Sequence, residues 1–200
     1  MHAARYWVGV MAIAFGSGAL LFWFSIHPFI GFWRRIGAIR TLVLHYVAVF
    51  ALAACVIWQR ERIMIGDFGT HWPLLAFAAI LLVISVMLRS LQARVFGTRI
   101  LLGLPELNPA DPEAHLVTQG IYARIRHPRY VQLLLSIAAL ALFANYLSGY
   151  LLLVFTAVAL LLVVALEERE LLVRFGDSYR DYMARVPRFV PRRILNGARR

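Results

Sequence analysis

Lysine is absent from this 200-residue chain, acidic residues number ten, and cysteine occurs once, at Cys55. A single cysteine excludes an intrachain disulfide and a cysteine metal cluster, and its apolar neighbours read as packing. His27, His45, His71 and His115 are scattered without an HxxxH or HExxH spacing, so no metal site is expected. There is no GxSxG elbow, P-loop or dinucleotide fingerprint, and no internal repeat, low-complexity tract or second domain. Charged residues make up 16% of the chain and hydrophobic ones 62%, against roughly 25% and 45–50% in soluble domains. That balance excludes an ordinary soluble protein and indicates an integral membrane one. All 21 basic residues are arginine, and the resulting charge of +11 at first suggests nucleic acid. The arginines sit instead mainly at the ends of apolar runs, where they meet lipid phosphates. The expected partners are therefore membrane lipids, with no nucleic acid and no obligate protein partner.

Five apolar runs are candidate spans, from about Tyr6 to Ile26, Thr41 to Trp58, Trp72 to Leu88, Tyr130 to Leu147 and Gly149 to Leu166. Their lengths fit the roughly 17–25 residues of a spanning helix. The first is read as a retained helix, because it is long for a signal-peptide core and no small-x-small cleavage site follows. Asn145, Ser148 and Gly149 supply turn chemistry between the last two, which form a tight C-terminal helical hairpin. The expected fold is all-α, an integral membrane bundle of about five helices.

Arginine placement sets the expected orientation. The loop after the third span carries Arg89, Arg94, Arg99, Arg124, Arg126 and Arg129, and nine more arginines follow between Arg169 and Arg200. Both segments should be cytoplasmic. The loop with Arg34, Arg35 and Arg40 then shares that side, while Arg60, Glu61, Arg62, Asp67 and the N-terminus lie outside.

The chain is expected to be a single membrane domain over 1–200. Residues 1–88 hold three spans, 89–129 a cytoplasmic loop, 130–166 the hairpin and 167–200 a cytoplasmic amphipathic tail. The loop exceeds the roughly 12–15 residues of a plain connection. Gly103, Pro105, Asn108, Pro109, Asp111 and Pro112 set turns in it, and Leu116, Val117, Ile121 and Ile125 offer packing, so it reads as a folded lid. In the tail, Leu171, Phe175, Tyr179, Tyr182 and Val186 recur at helical spacing, as in an interfacial helix, with Glu170 and Arg174 as an i,i+4 pair. His45, inside the second span, reads as a polar contact within the bundle.

Two clusters carry the chemistry. GIYARIRHPRYVQ, residues 120–132, precedes the fourth span, and EERE, residues 167–170, follows the fifth. A hairpin returns both to one bilayer face. Pro128 suits the first turn of a helix, whose free N–H groups attract a carboxylate or phosphate. Arg126 and His127 add cationic or donor groups there, Tyr122 and Tyr130 an aromatic face or hydroxyl, and Glu167 a negative charge. A zwitterion with a carboxylate and an ammonium is complemented at both ends. Glu167 and Glu168 point roughly 100° apart on a helix, so only one reaches a given ligand, and Glu168 is available to an arginine instead. The plainer alternative is that the arginines bind headgroups and His127 caps a helix.

LVTQGIYARIRHPRY, followed by EE and then FGDSYRDYMARVP, resembles the C-terminal half of the isoprenylcysteine carboxyl methyltransferase and phospholipid methyltransferase superfamily. These are integral membrane enzymes that use S-adenosylmethionine. The resemblance covers about Ala114 to Pro191; the first three spans match only in hydrophobicity. It implies that Ala114, His115, Leu116 and Val117, with Tyr122, His127, Pro128, Arg129, Tyr130 and Glu167, contact the cofactor. Arg126, His127, Tyr130 and Glu167 are the implied catalytic set: the Arg126 and His127 region would hold the methionine carboxylate, and Glu167 the amino group. The implied reaction is methyl transfer to a membrane-borne lipid or small amphiphile, and no general base is identified. Two departures stand out. Gln132 replaces a small glycine, and Val163 replaces an arginine that faces substrate in the eukaryotic prenylcysteine enzymes, which argues against a carboxylate-bearing prenylcysteine and for a lipid amine, a thiol or another small amphiphile. The compact form resembles bacterial members, which implies a bacterial inner membrane with a cytoplasmic site. A non-catalytic membrane scaffold or lipid-binding protein and a nicotinamide-dependent membrane reductase remain the alternatives.

Overall fold

The computed structural model describes residues 1–26, 28–95 and 116–191. Its helices are α1 (His2–Ile26), α2 (Ile30–Ile36), α3 (Ala38–Trp58), α4 (Arg60–Ile63), α5 (Trp72–Ala93), α6 (Pro128–Ala144), α7 (Leu147–Phe175) and α8 (Asp177–Arg185), with a 3-10 turn at Gly120–Ala123. Among the described residues the sole β feature is an isolated bridge between Asp67 and Tyr146, so the chain is an all-α integral membrane bundle. Four helices, α1, α3, α5 and α7, are long and apolar enough to cross a membrane, and the shorter apolar α6 lies among them. α1 packs against α3, α6 and α7, while α5 lies along α6.

Helix ends follow local chemistry. Pro128 opens α6, where its missing N–H costs no helical bond. The hairpin turn is tighter than expected: Asn145, in the left-handed region at φ 55°, and Tyr146 are the whole connection, and Ser148 and Gly149 lie inside α7. Asparagine tolerates that conformation, and here its side chain is tied to the Gly69 carbonyl at 2.9 Å and the Tyr150 hydroxyl at 2.7 Å.

α7 does not stop at Leu166. It has 29 residues, about 43 Å at 1.5 Å per residue, and so outruns a hydrocarbon core of roughly 30 Å. The good helix formers of the acidic cluster and the apolar Leu171, Leu172 and Phe175 carry it on until Gly176, at φ 54°, breaks it. The expected amphipathic stripe is thus split over two helices, and its apolar side is covered by protein. Tyr179, Tyr182 and Val186 are buried, with Leu116, Leu171 and Leu172 packed against them.

One end of the bundle gathers the N-terminus, the α4–α5 loop and the hairpin turn. Buried Arg5 pairs with Asp67 and donates to the Ala144 carbonyl at 3.0 Å, while the Tyr146 hydroxyl donates to Asp67 at 3.1 Å. At the opposite end Arg34 pairs with Glu170 at 2.9 Å. His45 is the polar bundle contact expected of it: Nδ1 donates to the Thr41 carbonyl at 2.7 Å and Nε2 meets Ser25 Oγ at 2.5 Å. Cys55, by contrast, is exposed on the outer face of α3 rather than packed.

Candidate active site

Val186 leaves α8 extended because it precedes Pro187, and the tail then runs beside the segment before α6. Arg126 N donates to the Pro187 carbonyl at 2.9 Å and His127 N to the Arg188 carbonyl at 3.0 Å. This short pairing ties the tail to the RHP segment. It also fixes both side chains of that segment against α7.

His127 is almost fully buried, between two carboxylates. Its Nε2 lies 3.1 Å from Glu168 and its Nδ1 lies 3.5 Å from Glu167. Burial by itself would push the imidazole pKa down, but the hydrogen bonds and charges of Glu167 and Glu168 outweigh it and hold it above the ordinary value. The ring stacks on Tyr130, centroids 5.7 Å apart, and meets Phe189 of the tail at 6.1 Å.

The neighbouring glutamates have different surroundings. Glu168, 3% exposed, receives Arg126 at 2.8 Å, His127, and Arg188 through two nitrogens. Glu167 keeps 23% of its side chain exposed beside His127. Helix geometry separates them as expected, and the arginine partners fall to Glu168. The pairing of Glu168 with an arginine was expected from sequence; that Arg188 of the tail is one of its partners was not. The bracketing of Arg188 by Pro187 and Pro191 was the available signal, since prolines favour an extended segment able to lie along another strand.

Of the residues expected to form the site, His127, Pro128, Tyr130 and Glu167 come together where the start of α6 meets the later part of α7. Arg126 joins them with its guanidinium already engaged, Nη1 donating to the Met183 and Val186 carbonyls at 2.8 and 2.9 Å and Nη2 to Glu168. Arg129 lies 5.5 Å over the Trp23 ring. Leu116 packs against the α8 cluster, and the Tyr122 carbonyl accepts the Tyr182 hydroxyl at 2.7 Å. Burial pushes that Tyr182 phenol up to about 12, so it stays a donor. Ala114 and His115 lie outside the described residues, as do the turns at 103–112.

The two departures also acquire a setting. Gln132 clasps α5 to α6, donating to Ser85 and Ser136, each at 3.1 Å. Val163 is fully buried among Trp23, Tyr130, Leu160 and Val164. Beside the site, Tyr130, Leu134, Leu161 and Phe189 help line an apolar groove of about 400 Å³ between α6 and α7.

The donor set suits a zwitterion. Arg126 Nε is a buried donor with no acceptor among the described residues, the first turn of α6 offers backbone N–H groups, and Glu167 supplies the opposite charge. Comparison with known proteins agrees with the sequence reading. Over 77 residues the chain is 36% identical to Protein-S-isoprenylcysteine O-methyltransferase of Schizosaccharomyces pombe, a stretch covering 38% of this chain and 33% of that protein. The aligned stretch thus spans about a third of that relative's length. The phospholipid methyltransferase family model matches residues 73–178, reaching back over α5, which the motif resemblance had left out. Covering more than half of the sequence, that match carries the RHPxY segment and both glutamates, and the chain belongs to the phospholipid methyltransferase family.

Proposed function

We propose that the protein is an S-adenosylmethionine-dependent methyltransferase acting at the membrane surface on a lipid or small amphiphilic acceptor. The observation that carries the reading is the meeting of His127 and Glu167, from two ends of a membrane hairpin, beside Tyr130, which stacks on His127 and itself lines the apolar groove. When bound, the cofactor supplies an electrophilic methyl group. Methyl displacement depends on alignment and dryness more than on a covalent protein intermediate.

The chain's residues divide that work. Arg126 Nε, His127 and the α6 N–H groups hold the carboxylate of the cofactor, and Glu167 holds its ammonium. Glu168 acts through others, keeping Arg126, His127 and the tail in place. Tyr130 and Phe189 flank the His127 ring and screen it from water. Arg129, expected at the cofactor, lies over the Trp23 ring, which meets Tyr130 edge-on. The acceptor arrives from the lipid phase, consistent with the apolar groove.

Titration of the detergent-solubilised protein with S-adenosylhomocysteine and with NADPH tests the reading. Binding of the first alone supports it. Binding of NADPH alone indicates a reductase, and binding of neither a non-catalytic scaffold. We further propose a bacterial inner-membrane location with the site cytoplasmic and the N-terminus outside. A reporter after Arg200 should then read cytoplasmic and one before Met1 external, and the same side for both would overturn this arrangement.

A further inference from the structure

The groove between α6 and α7 ends at the candidate active site, and the segment after α8 closes that end. Ala157, at the far end of the groove, lies ten positions before Glu167 on α7, so the groove reaches about 15 Å down the helix from the site. Val158 and Leu161 are exposed along it, which leaves it open to lipid. Apart from the Tyr130 hydroxyl, every described residue of the lining is apolar, so the groove suits an alkyl chain and offers a polar head nothing to bond. The head is left at the site-side end, beside His127 and Glu167.

At that end residues 187–190 form a strap from one helix to the other. Two backbone bonds hold it to Arg126 and His127, just before α6, and Arg188 pairs with Glu168 of α7. Phe189 reaches inward from the strap. Its ring meets His127 at 6.1 Å, packs against the cluster that holds Trp23, Tyr130 and Val163, and with Val190 forms part of the groove wall.

We infer that Phe189 is a specificity-determining residue for the acceptor, and that the strap carrying it admits an amphiphile with one alkyl chain and rejects one with two chains joined at the head. The word acceptor rests on the methyltransferase reading; the preference for one chain does not. A volume of about 400 Å³ lies near the small end of pockets that enclose a ligand. In a diacyl lipid the two chains part directly below the head, at the level where the strap crosses. Seating such a head beside His127 and Glu167 drives the second chain against Phe189, on a strap tied to the RHP segment by its backbone and to α7 by Arg188. A clash of this kind discriminates without any new attraction to the favoured ligand. A single chain passes under the ring and out along Leu134 and Leu161 to the lipid.

The test uses the full chain in phosphatidylcholine nanodiscs and, as probe, hexadecanol with a photoactivatable diazirine midway along its chain. Mass spectrometry after irradiation should find the label on the groove walls, in peptides that hold Leu134 or Leu161. Unlabelled hexadecanol should suppress this labelling at a concentration at least about tenfold lower than dioleoylglycerol does. Phe189→Ala should bring the two competitors to within about twofold of each other by letting the two-chain lipid in. Phe189→Leu, which keeps an apolar side chain on the strap, should show part of the same change and serves if Phe189→Ala fails to fold. Leu161→Trp, which fills the groove from α7 and leaves the strap alone, should abolish the labelling. Label spread evenly over the lipid-facing helices, equal competition by dioleoylglycerol in the wild type, or a selectivity that survives both Phe189 variants overturns the proposal. S-adenosylhomocysteine is titrated separately in the same nanodiscs, so that absent binding beside an intact one-chain preference refutes the methyltransferase reading alone.

Discussion

At the Arg5 end of the bundle one buried guanidinium is matched to one carboxylate, whereas at the His127 end two adjacent carboxylates face three cationic groups. In the first cluster Asp67, the Ala144 carbonyl and Thr70 meet Arg5, and the Tyr146 hydroxyl and His2 also reach Asp67. This cluster fastens the N-terminus to the hairpin turn. The second has more groups than fastening requires. Glu168 by itself pairs with Arg126, His127 and Arg188, while Glu167, partly exposed, lies beside the His127 ring. The same side-chain types thus make a rivet at one end and a rivet with a ligand-facing group at the other.

The largest expected effect is from Glu168→Gln. Breaking a buried ion pair costs about 3–5 kcal/mol because it strands the partner charge, and here three partners share one carboxylate. Thermal unfolding in detergent should drop accordingly, and S-adenosylhomocysteine binding should fall with it. A stable Glu168→Gln variant would show that this end is not fastened by Glu168. Asp67→Asn should cost less, about 1–3 kcal/mol, because Asp67 is 31% exposed and Arg5 retains the Ala144 carbonyl. Its S-adenosylhomocysteine affinity should match the wild type, and a loss of affinity at this distant end would break the contrast between the two clusters.

Glu167→Gln should do the reverse of Asp67→Asn, keeping the unfolding temperature and lowering S-adenosylhomocysteine affinity. Removing a charge-assisted hydrogen bond costs roughly 1.5–3 kcal/mol, or about 10- to 150-fold in affinity. Unchanged binding by calorimetry would leave Glu167 as a second fastener. The smallest effect is on pH dependence. The folded His127 holds its proton above the ordinary 6.5, so its contribution to stability is complete below the unfolded value and fades as pH rises through the raised one. Unfolding temperature should therefore decline as pH rises past the ordinary imidazole range in the wild type and less so in His127→Gln. A stability that rises there would contradict the two-carboxylate setting.

Much of the fold was legible because apolar runs of spanning length have few alternatives. All five runs became helices, differing at their ends by a few residues, save for α7, which outran its expected end at Leu166 by nine residues. That extension was hidden because Leu171, Leu172 and Phe175 resemble an interfacial stripe until Leu116 and Tyr179 are known to cover them. In the candidate site, the RHPxY and EE patterns named the right neighbourhood. Arg129, read as part of it, reaches that neighbourhood by way of Trp23, a contact between α6 and α1 that the motif could not indicate.

Composition and the spacing of apolar runs were enough to determine that this chain is a helical membrane protein, and the ordered motifs were enough to place it in a family of methyltransferases. Both are local or cumulative properties, because lipid demands runs of a set length whose backbone bonds are satisfied internally. Which arginines Glu168 is spent on was decided by the tertiary structure alone. That choice depends on a tail residue, Arg188, reaching Glu168 twenty positions back, and on two backbone bonds that hold the tail beside the RHP segment. Pairings of this kind arise where separate helices and loops meet, and no one-dimensional pattern records the rotation of each helix about its axis.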